Sequence, residues 1–159
     1  MRRLFRPNNR DITVLQVNAV TLINYIISGA LTILIPLLML ERNMNIAEIG
    51  VVLSVFPLVF LVARLFLAAF ADCIGWAHIF LTVNWPSTIF SVAIFYFATS
   101  TPVFLVGKIA EGLRESSYWA VIRTAIYHFS PQTAKKEASK NNAIIWLATA
   151  IGGLLLALV

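Results

Sequence analysis

Lys108, Glu111, Arg114 and Glu115 stand close together in a segment otherwise made largely of Val, Ile, Ala, Tyr and Trp. Two carboxylates and two bases at this spacing can hold a cation, titrate, or bind an anion. Lys108, Glu111 and Glu115 fall at i, i+3 and i+7, one face of a helix, and Glu111 is near enough to Lys108, Arg114 and Glu115 to interact along it. Arg114 turns about 60° away from Glu111, because three residues rotate a helix by about 300°. Arg123 follows in the same segment, and Arg64 interrupts an earlier apolar one. A charge at the centre of a bilayer costs at least about 2.5–3.5 kcal/mol on insertion scales, so such residues face a partner or an aqueous cavity. Three readings stay open. The pairs can neutralise one another merely to permit insertion; they can line a polar cavity; or some can sit at headgroup level.

A second constellation lies in the polar stretch Ala68-Ala69-Phe70-Ala71-Asp72-Cys73-Ile74-Gly75-Trp76. Asp72 at the end of one apolar segment and Arg123 near the end of another could form a salt bridge at one membrane face, whose rupture would permit opening. Two unrelated headgroup-level charges fit the spacing equally well. Cys73 is the only cysteine, so neither an intrachain disulfide nor a cysteine-rich metal site can form. His78 and His128 stand alone at segment ends, and no metal or cofactor is expected. H-E-x-x-H, G-x-S-x-G and Walker-type glycine loops are lacking, which argues against a protease, an esterase or an ATPase. No enzyme activity is expected.

These side chains must be positioned by apolar helices. The chain is 60% hydrophobic and only 12% charged, about half the charge of an ordinary soluble domain. Runs of roughly 20 apolar residues match the hydrocarbon thickness of a bilayer. The expected fold is all-α: a polytopic bundle of five transmembrane helices, near 12–40, 46–70, 78–98, 102–129 and 141–159, in one domain spanning 1–159 with a tail at 1–10. Asp11 is the expected N-cap of the first span, whose Asn18, Thr21, Tyr25, Ser28 and Thr32 recur every three or four residues and form one stripe turned toward other helices. Asn45 and Glu48 have the spacing of a capping box. Thr101-Pro102 is a favoured helix start. Ala148-x-x-x-Gly152 and Thr149-x-x-x-Gly153 provide small faces for close packing. Trp85, Trp119 and Trp146 read as interfacial anchors or packing. Residues 130–137 read as a polar, basic loop.

The net charge is +5, but its distribution is more informative than its sum. Arg2, Arg3, Arg6 and Arg10 crowd the first flank, and Lys135, Lys136 and Lys140 the loop before the last span. Only Arg42 lies on a flank of the opposite side. Lysine and arginine accumulate on cytoplasmic flanks, so the N-terminus is expected inside and the C-terminus outside the cell membrane. No folded basic surface suited to nucleic acid is present. The first apolar segment exceeds the 7–15 residues of a signal-peptide core, so it reads as a retained helix.

Ala68, Asp72 and Gly75 resemble the loop between the second and third helices of the major facilitator superfamily: a small residue, an aspartate four positions on, and a glycine three after that. Cys73, Trp76 and Ala77 stand where that pattern has basic residues. Lys108-Ile109-Ala110-Glu111-Gly112 is similar to the family's fourth-helix pattern of a basic residue, two positions, glutamine and glycine, and Ile46-Ala47-Glu48-Ile49-Gly50 is also family-like. The resemblance spans essentially the whole chain. It implies a partial half of such a transporter, moving a small solute, with a proton or cation as a candidate co-substrate, by alternating access. Arg64, Lys108, Glu111, Arg114 and Glu115 would then line the path, and Asp72, Gly75 and Arg123 would form a cytoplasmic gate. Family members pair two six-helix halves, so the partners expected are the bilayer, the solute and a separate chain supplying the missing helices. The alternative is a truncated or split product without transport of its own, or a small five-helix assembly protein.

Overall fold

The computed structural model describes residues 14–129 and 132–157. Five helices make up nearly all of it: α1 (Val14–Glu41), α2 (Ile46–Ile74), α3 (Trp76–Phe97), α4 (Thr101–Phe129) and α5 (Ala134–Ala157), with no strand among the described residues. Asp11, the basic tail, Ser130, Pro131 and the last two residues of the fifth expected span lie outside the described residues. α1, α2 and α3 are each long and apolar enough to cross a membrane. α4 and α5 have the length, and their charged residues set them apart by composition.

The starts and ends follow from local chemistry. Asn45 Oδ1 accepts from the Glu48 N–H at 2.8 Å and Glu48 Oε2 accepts from the Asn45 N–H at 3.0 Å, so the capping box expected at α2 is present. α2 runs four residues past the expected end, to Ile74, and Asp72 is helical. The chain is redirected at Gly75 alone, which has φ 98° and ψ 139° and donates its N–H to the Ala71 carbonyl. This backbone geometry is close to a region open almost only to glycine. α4 starts one residue earlier than expected, its first amides bonding to the Ser100 carbonyl.

α3 is not uniform. Its segment Phe80–Asn84 is a π-helix, and the Trp85 N–H bonds to the Phe80 carbonyl five residues back. Pro86 follows at the start of the next α-helical segment. A proline has no N–H for the carbonyl four residues before it, and its ring crowds that group, so the preceding turn widens.

α5 begins at Ala134, seven residues before its expected start. The polarity of Lys135, Lys136, Glu137 and Lys140 suggested a loop, yet alanine, lysine and glutamate are all good helix formers. The Glu137 N–H bonds to the Thr133 carbonyl at 3.0 Å, Lys140 Nζ pairs with Glu137 Oε1 at 2.8 Å, and Ala134 and Ala138 are buried.

The chain divides into two compact units, Met1–Leu34 with Arg123–Val159, and Ile35–Ile122. In the first, α1 and α5 approach backbone to backbone. A Cβ on Gly29 would strike the Thr149 carbonyl, and one on Gly152 would strike the Ile26 carbonyl. The small-residue faces read from α5 are therefore packing faces. Two turns into α5, Asn141 Nδ2 donates to Thr21 Oγ1 at 2.7 Å and to Asn18 Oδ1 at 3.2 Å. Of the polar stripe on α1, Thr21 and Tyr25 are buried and Asn18 and Ser28 half-buried, but Thr32 is exposed and satisfies its hydroxyl on the Ser28 carbonyl.

The second unit is built around α2, α3 and the first part of α4. At the Gly75 end, Ala71, Ile79 and Val121 form a core with Leu67, Trp76, Phe80 and Val83. Outward, Leu58, Leu61, Leu65 and Phe66 are all exposed, as a lipid-facing helix requires.

Gly29→Val should lower the thermal midpoint of the detergent-solubilised chain, by an overpacking cost of about 1–3 kcal/mol. Gly50→Val should matter far less, since nothing lies within 4 Å of its added Cβ. Differential scanning fluorimetry of the two variants checks this.

Candidate functional site

α4 is inside out by the standard of a soluble helix. Lys108, Glu111, Arg114 and Glu115 are 5%, 3%, 0% and 7% exposed, whereas Val106 and Ile109 on the same helix are exposed. In a membrane this arrangement is the low-energy one, because lipid accepts apolar surface and rejects charge.

The spacing of the two closest charges produces a contact. Lys108 Nζ lies 2.7 Å from Glu111 Oε2, three residues and nearly one turn away. The ammonium also lies 5.7 Å from the centre of the Phe56 ring and 5.8 Å from that of Phe95, so α2 and α3 each offer it an aromatic face. Two glycines allow this closeness. A Cβ at Gly107 would enter the Phe95 ring, and one at Gly112 would meet Val59 and the Phe56 carbonyl.

One turn on, Arg114 Nη2 is 3.7 Å from Glu115 Oε2, an ion pair longer than a hydrogen bond. Glu115 Oε1 accepts the indole N–H of Trp119 at 2.9 Å. The Trp119 ring in turn lies 5.7 Å from the guanidinium of Arg64 on α2. Arg64 is exposed, yet it joins the buried residues through that ring. Trp119 is eleven residues from Lys108, about three full turns, so it extends the Lys108–Glu111–Glu115 stripe.

Hydroxyls and one amide fix α4 to its neighbours. Asn84, in the π turn of α3, donates from Nδ2 to the Arg114 carbonyl at 2.9 Å and to Ser117 Oγ at 3.2 Å, and the Ser117 hydroxyl donates to the same carbonyl at 2.7 Å. The Ser116 hydroxyl reaches the Gly112 carbonyl and lies 3.1 Å from the Phe60 carbonyl of α2. The backbone that carries the most buried guanidinium is thus held from two sides.

The family model described as Major Facilitator Superfamily matches residues 17–159. The chain belongs to the major facilitator superfamily. No curated protein and no solved structure matches it. Members of the superfamily are transporters, and the chain is membrane-embedded.

Asp72 and Gly75 are exposed at the end of α2, next to exposed Cys73. Arg123, in the other unit, is exposed and its Nη2 lies 3.4 Å from Asn142 Oδ1.

Four members of the cluster around α4 leave a weaker trace in the sequence. Trp119 reads in the sequence as an anchor or packing residue, although its i+4 spacing from Glu115 is a usable signal. Asn84, a polar residue two positions before Pro86 in an apolar span, and the Ser116-Ser117 pair also carry one. Trp85 and Trp146, by contrast, are exposed, which suits lipid-facing positions.

Lys108→Met should destabilise the chain by about 3–5 kcal/mol, because it leaves the Glu111 carboxylate buried without its cation. Adding Glu111→Leu to that variant should restore most of the loss. A double-mutant cycle on thermal unfolding in detergent measures both.

Proposed function

We propose that this chain forms the amino-terminal part of a secondary transporter that moves a small solute by alternating access, with Arg64, Lys108, Glu111, Arg114 and Glu115 along its path. The observation that carries the reading is the burial of four charged side chains on α4 of a superfamily member. A helix that only had to enter the membrane would be cheaper without them, because a buried ion pair seldom outcompetes an apolar one of similar size. Transporter sites lie near the bilayer midplane, and the opposite wall comes from a second helical repeat. Helices beyond these five, on the same chain or on a separate one, supply that wall in this reading. Glu111 and Glu115 are the groups able to take a proton or a cation. The role of the chain is transport, not catalysis of a covalent step.

We further propose a cytoplasmic gating role for Asp72 and Gly75 at the α2–α3 turn and, separately, for Arg123. The chain lies in the cell membrane with its N-terminus inside and its C-terminus outside, on the strength of the lysine and arginine bias of the flanks.

Two measurements test this. In a whole-cell uptake assay, Lys108→Ala and Glu111→Ala should each lower solute uptake at least about tenfold, the loss of one charge-assisted contact in the path. Uptake at the parental rate in both variants would remove the proposed path. For orientation, Cys73 is the only cysteine and is exposed beside the α2–α3 turn. A membrane-impermeant maleimide should label it in inside-out vesicles and leave it unlabelled in right-side-out ones. The reverse pattern would invert the topology.

A further inference from the structure

The buried charges of α4 cancel, Lys108 against Glu111 and Arg114 against Glu115. Arg64 does not fit that ledger. Its guanidinium lies 5.7 Å from the ring centres of both Phe60 and Trp119, and it makes no ion pair or hydrogen bond among the described residues.

Its depth makes this costly. At 1.5 Å per residue, Arg64 lies roughly 27 Å from the Ile46 end of α2 and roughly 15 Å from the Ile74 end. With α2 centred on a hydrocarbon layer of about 30 Å, its Cα is roughly 9 Å inside the nearer boundary. Two aromatic faces attract the cation, but they offer nothing to the N–H groups along the edge of the guanidinium plane. The Trp119 indole N–H is already given to Glu115, so the indole acts here as a wall. A planar fork steadied by aromatic rings and lacking an oxygen acceptor suits bidentate binding of a carboxylate or a phosphate.

We propose that Arg64, between Phe60 and Trp119, is a binding position for an oxyanion. On the reading of α4 as a solute path, on which this rests, the solute is an anion. A lipid phosphate has the same chemistry, and the test separates the two sources.

The full chain in dodecyl maltoside, a detergent without phosphate, is titrated with sodium phosphate at constant ionic strength while tryptophan emission is followed. The expected result is a saturable change that disappears in Trp119→Phe. Its apparent affinity should weaken at least about tenfold in Arg64→Gln and severalfold in Arg64→Lys, which keeps the charge and loses the fork. The second arm adds phosphatidylglycerol to the micelles before phosphate. If the lipid reproduces the change and abolishes the phosphate response, the oxyanion position stands with a headgroup as its occupant; if phosphate still acts, the free anion is the occupant. A response unaltered in both Arg64 variants, or no response to either probe, overturns the proposal. Binding is read without transport. Uptake insensitive to both Lys108→Ala and Glu111→Ala would therefore remove the solute path while leaving a positive titration intact.

Discussion

An ammonium and a carboxylate 2.7 Å apart, both almost sealed from solvent, impose the strongest condition on the second unit. Each charge alone would be expelled from a low-dielectric interior, and together they persist because each satisfies the other. The pair cannot be placed on an outward face of α4. That requirement orients the helix: Val106 and Ile109 turn outward, and Gly107 and Gly112 bring α3 and α2 close enough for Phe95 and Phe56 to flank the lysine.

Around the pair, several polar groups meet a neighbour of matching chemistry. Trp119 reaches Glu115, Asn84 reaches the Arg114 carbonyl, and Ser116 lies near the Phe60 carbonyl. In the absence of water, such bonds, along with tight packing of small residues, are the main forces that join helices. The first unit uses the same two devices on its own, with Gly29 and Gly152 for closeness and Asn141 against Thr21 and Asn18 for polarity.

Much of this was legible in the sequence. The five helices, the Asn45–Glu48 cap and the stripe of Lys108, Glu111 and Glu115 all rest on short-range rules: apolar length, capping chemistry and helical period. Polarity does not show the start of α5, because Lys135, Lys136 and Glu137 are polar yet good helix formers. The roles of Asn84 and Trp119 are hidden for a different reason. Their partners lie on other turns or other helices, and a one-dimensional pattern shows a polar residue without showing what meets it. Arg64 stands out in the sequence as a charge within an apolar span, but its exposure and its aromatic neighbours are properties of the packed helices alone.

The π turn in α3 has a consequence for the whole of that helix. One turn there holds an additional residue, so everything after Asn84 is rotated by about 100° relative to an uninterrupted α-helix. Residues His78 and Ile79 on one side, and Ser91 and Phe95 on the other, therefore obey two separate angular phases. A single helical wheel drawn across the span would assign half of its side chains to the wrong direction, and a position-by-position accessibility scan along it would trace two offset waves that meet at the bulge.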